Sequence, residues 1–336
     1  MVARIKLSLA PGLEVEFANR ERALKQLEEL AEKGTRFPIV VFGPEGCGKT
    51  AWLRQATEVF KELGFEVVYV DPQRRDFVAR TDVKDVVRRL VEATAETASL
   101  AQVKLATLAV DVVRELVGKW RKRRVAVLVD EAFQAMGLDK AEAYVKSLLN
   151  LIEYPPASYD VIVPIAATSE GATRSAIGRH LWALLRPMWN MSKSGFEELY
   201  ECLPSPKLEL EDAWRVAGGN PRALSLLYQL EWSVEKAVAE LAENRGITRR
   251  FVEKWRSWLE GAVEDPDSLS RADAPEELLR ELVAKNLVVL DMYDRDPWLW
   301  IDEPPPERDP ELGIGRYVAW QTPLHREAVK RALARS

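Results

Sequence analysis

Histidine and cysteine are scarce in this chain, with two of each among 336 residues. His180 and His325 lie far apart, so no histidine-based metal site is expected. Cys47 and Cys202 make no disulfide framework, which fits a reducing cytosol. Cys202 ends an apolar run and is expected in a core. The chain has only 6 Asn and 7 Gln, while 30% of it is charged. That bias is typical of thermophile proteins. No uncharged apolar run reaches the ~18 residues that suggest a membrane span, and no signal-peptide pattern opens the chain. The expectation is a cytoplasmic protein. With 47% apolar residues, the chain can bury large cores in two or three domains.

The charge is uneven. The net is −5, but Val263 to Ser336 carry 16 acidic and 10 basic residues, leaving +1 for residues 1–262. The C-terminal region is acidic on its own account.

Against these absences stands one dense motif. Residues 38–56 read PIVVFGPEGCGKTAWLRQA. An apolar strand enters a loop that matches G-x-x-x-x-G-K-[ST] in full, as Gly43, Gly48, Lys49 and Thr50, and a helical pattern follows. Glycines let the backbone curl, so that N–H groups face phosphate oxygens. The following helix aims its positive end at the same anion. Lys49 suits the β- and γ-phosphates, and the Thr50 hydroxyl suits Mg²⁺. The expected nucleotide-binding residues are Gly43, Pro44, Glu45, Gly46, Cys47, Gly48, Lys49, Thr50 and Ala51, with ATP or ADP as the ligand. A bound anion beside Cys47 would disfavour its thiolate.

Apolar strands at 37–42, 66–71, 124–130 and 160–171 alternate with helical stretches near 48–63, 82–94, 98–119 and 139–152. This pattern predicts an α/β fold, a parallel sheet with helices on both faces. Such sheets bind ligands at the carboxyl ends of their strands. After residue 204 the pattern turns helical, with a Gly-Gly-Asn-Pro turn that puts Pro221 at a helix start. The tail reads helix 274–285, strands 287–293 and 298–302, a Pro-rich acidic loop 303–315, strand 316–321 and helix 323–334, consistent with a winged-helix module. The predicted domains are 1–205, a P-loop ATPase domain; 206–262, a helical lid; and 263–336, a winged-helix-like domain.

VAVLVDEA puts Asp130 and Glu131 at the end of an apolar strand, where two carboxylates are costly unless they act. Asp130 suits Mg²⁺, opposite Thr50. Glu131 suits orientation or deprotonation of the attacking water. Thr168 and Ser169 end the next strand, to touch a γ-phosphate or the water, or else to cap a helix. Arg222 of GGNPRAL is placed to reach back from a second domain. Arg174, Arg179 and Arg186 are candidate fingers. RKRR at 121–124 precedes a buried strand and reads as a solvated loop. Trp298 and Trp300 alternate as on one strand face, Trp255 and Trp258 share a helical face, and both pairs are expected in cores. Asn19 reads as a helix N-cap.

These residues resemble archaeal P-loop ATPases of the AAA+/STAND superfamily. FANRERALKQLEEL, GPEGCGKT, VLVDEA, AATSEG and GGNPRAL follow one another in that group's order. The resemblance implies phosphate binding by Gly43–Thr50, Mg²⁺ at Asp130, water activation by Glu131, a first sensor at Thr168 and a second sensor at Arg222, beside Pro221. Near Asn19 and Arg20 that family often packs the adenine. No box around an intersubunit arginine finger is visible, and 76–120 carries no readable motif.

Three uses of the nucleotide are compatible with these residues. One is an ATP-driven switch read by a protein partner. Another is a DNA-associated initiator or loader, and the third is a small-molecule phosphotransferase. A DNA-binding wing should be basic. Here it reads DEPPPERDPE, and the preceding helix PEELLRELVAK has three acids against two bases. The glutamate after Asp130 suits water better than an acceptor. The switch is the favoured reading.

Overall fold

The computed structural model describes residues 3–96, 101–131, 133, 136–169, 174, 177–205 and 207–335. Its contacts divide into two compact units.

The first unit holds residues 1–5, 21–42 and 49–186. Its centre is a six-stranded sheet, whose last strand runs one residue past the unit. In chain order its elements are α1 (Glu21–Lys33), β3 (Ile39–Phe42), α2 (Lys49–Glu62), β4 (Glu66–Asp71), β5 (Asp76–Arg80), α3 (Lys84–Ala95), α4 (Ala101–Gly118), β6 (Arg124–Asp130), α5 (Leu138–Glu153), β7 (Val161–Thr168) and β8 (Leu184–Pro187). The strand order is β5-β4-β6-β7-β3-β8. β4, β6, β7 and β3 run parallel, and β5 is antiparallel to β4. The parallel strands are buried along nearly their whole length because helices cover both faces. Val127, Val129, Leu105, Val113 and Leu148 share one core. This is the predicted α/β P-loop fold. The topology puts β7 between the strand that enters the phosphate loop and the strand that ends in Asp130.

Within RKRR, Lys122 pairs with Glu66 and Asp82, Arg123 pairs with Asp160, and Arg124 donates to the Ala31 carbonyl.

The second unit holds residues 6–20, 43–48 and 187–336. It contains an antiparallel pair, β1 (Lys6–Ala10) and β2 (Leu13–Glu16). Helices follow: α6 (Lys193–Glu201), α7 (Leu210–Ala217), α8 (Pro221–Gln229), α9 (Val234–Asn244), α10 (Arg249–Glu264) and α11 (Glu276–Ala284). A two-residue pair, β9 (Val288–Val289) with β10 (Ala319–Trp320), precedes α12 (Pro323–Arg335). Phe196, Leu224, Leu259, Leu278 and Trp320 sit in its main core.

Several expectations fail here. No strand spans 298–302: Pro297–Leu299 form a 3-10 turn, for which proline's fixed φ is suited. Trp298 is therefore 67% exposed while Trp300 is buried, its indole N–H donating to the Asp294 carbonyl. Trp255 and Trp258 are half-buried and pack against the main core from its margin. Cys202 is exposed at the end of α6, where the apolar run gives way to a turn. Asn19 has φ +56°, outside the extended region an N-cap residue uses, and its side chain sits against Gly195.

Candidate functional site

In the first unit the sheet gathers the predicted acids and hydroxyls. Lys49 opens α2 and is 4% exposed. Asp130 ends β6 and is fully buried. Its Oδ2 accepts from the Tyr69 hydroxyl of β4 at 3.3 Å, and Thr50 also bonds its carboxylate. Its Oδ1 has no hydrogen-bond partner. Burial pushes the carboxyl up to about 6; Glu131 and Asp71 push the same way, against Thr50 and Lys49. A buried carboxylate oxygen with no donor, next to a threonine hydroxyl and short of positive charge, is the donor chemistry a hard divalent cation takes. Among the described residues no group of three or more His, Cys, Asp or Glu could hold a metal alone. Thr50 and Asp130 alone supply too few donors for such a cation, which would need ligand and water oxygens as well.

Glu131 follows at φ +46°. Its N–H bonds the Ala167 carbonyl of β7 at 3.0 Å. Its carboxylate is held by Ser169, which donates both its backbone N–H, at 3.1 Å, and its hydroxyl. Thr168 is buried at the end of β7, in register with Phe42 of β3. The β3–β7–β6 order thus brings Thr168, Ser169, Asp130 and Glu131 to one end of one sheet. Arg174 lies over the Phe42 ring at 5.3 Å, and Arg179 lies 3.9 Å from Glu142. Glu170 and Gly171 lie outside the described residues. Tyr69, in register with Leu128 of β6, carried no sequence signal.

In the second unit the loop Gly43–Gly48 is tightly bound. Pro44 and Cys47 are buried. A Cβ on Gly43 would lie 2.0 Å from the Met188 carbonyl oxygen. Gly46, at φ +77°, has no room either: a Cβ there would lie 2.3 Å from Cβ of Arg222. Glycine at 46 thus allows α8 to approach the loop.

Glu45 is bonded through its backbone N–H, its carbonyl and both carboxylate oxygens. Its N–H donates to Gln321 Oε1 at 2.9 Å, and its carbonyl accepts from Asn220 Nδ2 at 2.9 Å. Its Oε1 accepts from Arg222, and its Oε2 from Arg245 at 2.6 Å and Asn286 at 2.9 Å. Burial alone would push this carboxyl up, but Arg245, Arg222 and Asn286 outweigh it and hold it down at about 2. The turn that delivers Arg222 is legible in GGNPR. Gly218 and Gly219 have φ +59° and +78°, Asn220 caps α8 through Ala223 N–H at 3.0 Å, and Pro221 takes the first helical turn. Arg20 holds the loop's other end, donating to the Cys47 carbonyl at 2.6 Å. Sequence reasoning did not find Arg245, Asn286 or Gln321, and it named Arg20 only as lying near where the resembled family packs the adenine, not as a partner of the loop. An acid inside an anion-binding loop was the signal that cations must stand nearby.

A family of ATPase domains found predominantly in Archaea matches residues 17–227, more than half the chain. The chain belongs to that family. The match takes in the phosphate loop, the Asp130-Glu131 strand end and GGNPR. No curated protein matches this chain. Among solved structures it is similar to Cdc6p from Pyrobaculum aerophilum, at 15% identity and TM-score 0.41, over 98% of this chain and 99% of that one. It is similar to AMPPCP-bound DnaA from Aquifex aeolicus, at 14% identity and TM-score 0.38, over 78% of this chain and 81% of that one. It is also similar to Drosophila ORC bound to DNA, at 15% identity and TM-score 0.39, over 94% and 87%. Likeness this distant carries no functional argument. Among the described residues no helix is long and apolar enough to cross a membrane.

Proposed function

We propose that this chain is a cytoplasmic ATP-binding and ATP-hydrolysing switch, whose nucleotide state sets its lid and C-terminal segment for a protein partner. One observation carries the switch: Glu45, inside the phosphate loop, is bonded to Arg222, Arg245, Asn286 and Gln321. A loop that shifts when nucleotide arrives pulls on all four, and binding energy becomes a change of segment position. The functional division remains 1–205, 206–262 and a winged-helix-like 263–336.

In this reading residues 43–51 hold the nucleotide, with Pro221 and Arg222 contributing from α8. Lys49 neutralises phosphate charge. Thr50 and Asp130 would hold Mg²⁺, which would supply stabilisation of charge on the phosphate oxygens. Glu131 orients the attacking water and takes its proton, which requires its carboxylate to turn from Ser169. Thr168 bonds a phosphate oxygen or that water. Arg222 stabilises developing charge.

Hydrogen exchange of the full chain with ATP and with ADP tests the switch. The expected result is a nucleotide-dependent difference in the segments around Asn286 and Gln321. A difference confined to residues 39–60 and 124–131 would overturn the switch and leave a plain ATPase. Duplex DNA is expected to leave steady-state hydrolysis unchanged, because the C-terminal region is acidic. Strong, salt-sensitive stimulation would move the reading to a DNA-associated ATPase.

A further inference from the structure

A carboxylate is out of place in a loop whose task is to cradle an anion. Glu45 nevertheless sits there, with a side chain only 26% exposed. Two arginines compensate it, and they are not equivalent. Arg245 is 22% exposed and shares Oε2 with Asn286. Arg222 is 58% exposed and alone takes Oε1. Arg222 is also fixed at its base, since its Cβ packs on Gly46 and its N–H approaches the Gly46 carbonyl at 3.4 Å. Its guanidinium can therefore swing while its backbone stays on the loop. The Arg245–Asn286 side of the carboxylate is the enclosed one and can stay bonded.

We propose that Glu45 is a built-in phosphate surrogate, which parks the Arg222 guanidinium on the phosphate loop until a nucleotide's phosphates displace it. Arg245 and Asn286 stay bonded to the carboxylate through the exchange, so that the loop remains tied to them, and can pull on them, when Arg222 leaves. A trianionic phosphate chain outcompetes a single carboxylate for a guanidinium, because charge-assisted bonds strengthen with the acceptor's charge. The exchange keeps Arg222 from being a fixed cation in the ligand-free protein. It also makes departure of Arg222 from Glu45 the first event that nucleotide binding produces in this unit. Glu45 is a positioning residue in this scheme, acting through Arg222. The inference rests on the reading of residues 43–50 as a nucleotide site.

A double-mutant cycle on the full chain tests it, with ATP and ADP affinities measured by titration calorimetry. The variants are Glu45→Gln, Arg222→Ala and the pair. If Glu45 competes for Arg222, removing its charge frees the arginine for the nucleotide. The affinity loss caused by Arg222→Ala should then be larger in the Glu45→Gln background, by roughly fivefold for a partly exposed pair. Simple repulsion between Glu45 and phosphate predicts equal losses in both backgrounds, and that outcome would overturn the proposal. Thermal unfolding of each variant, run alongside, shows whether the loop is still held. Wild-type protein that binds neither nucleotide would overturn the nucleotide-site reading and this proposal together. Binding with an additive cycle would overturn this proposal alone.

Discussion

Arg20 and Asp302 form a buried ion pair at 2.7 Å although 282 positions separate them in the chain. Their side chains are 4% and 7% exposed. Arg20, at φ +69°, also donates to the carbonyls of Cys47 and Trp189. One guanidinium thus joins the acidic C-terminal segment to the phosphate loop. Removing one partner strands the other's charge, so Asp302→Ala should cost about 3–5 kcal/mol. Urea unfolding measures this, and a loss under about 1 kcal/mol would show that water compensates Arg20.

Glu131 and Ser169 make the second testable relationship. Both carboxylate oxygens are engaged by Ser169, one by its N–H and one by its hydroxyl. Ser169→Ala keeps the backbone bond and removes the other. Hydrolysis should rise about two- to fivefold with nucleotide affinity unchanged, the scale of one neutral hydrogen bond. A slower enzyme would mean that the hydroxyl aims Glu131 rather than restraining it.

Gly46→Ala tests the approach of α8 to the loop. The added Cβ meets a side-chain carbon beside the backbone of Arg222, and φ +77° is itself unfavourable for alanine. The variant should lose nucleotide binding by at least an order of magnitude and unfold at lower temperature. Unchanged binding would mean that the loop and α8 separate freely.

The second unit should be acid-sensitive. Burial holds His325 at about 3, with Arg245 lowering it and Glu45 opposing. Its Nδ1 is 2.8 Å from the Thr322 hydroxyl. The unfolded chain takes up a proton below about 6.5 that the folded chain refuses until about 3, so stability falls as pH falls through that window. Between pH 6.5 and 4.5 the loss should be about 2–3 kcal/mol. Glu45, held at about 2, adds to the same loss below its unfolded value of about 4.5. His325→Gln should flatten the upper part of the curve. Equal slopes in the two proteins would exclude His325 as the cause.

What the sequence revealed follows burial. β3, β4, β6 and β7 are continuous apolar runs because both their faces are covered, and such runs are easy to read. β5 and β8 close the sheet's edges and are half-exposed, so DFVAR and LLRP carry no such signature. β1 and β2 form a two-stranded pair with little buried surface, and they were missed for the same reason. In the candidate site, residues whose placement is set by local sequence were legible: the glycines of the loop, Lys49 and Thr50 at the start of α2, and the acids at the end of β6. Residues that act across long sequence separations were not. Asp302 reads as part of a solvated acidic loop, and nothing near it in sequence points to Arg20. Asn286 reads as a helix-ending turn, and its bond to Glu45 spans 241 positions.

The central claim is that residues 43–50 bind ATP and that Glu131 drives its hydrolysis. Steady-state hydrolysis and equilibrium ATP binding, measured together on wild type, Glu131→Gln and Lys49→Ala, test it most directly. The expected result is slow hydrolysis that Glu131→Gln abolishes while ATP still binds, and loss of both in Lys49→Ala. Normal hydrolysis by Glu131→Gln would contradict the assigned mechanism, and normal ATP binding by Lys49→Ala would contradict the assigned site.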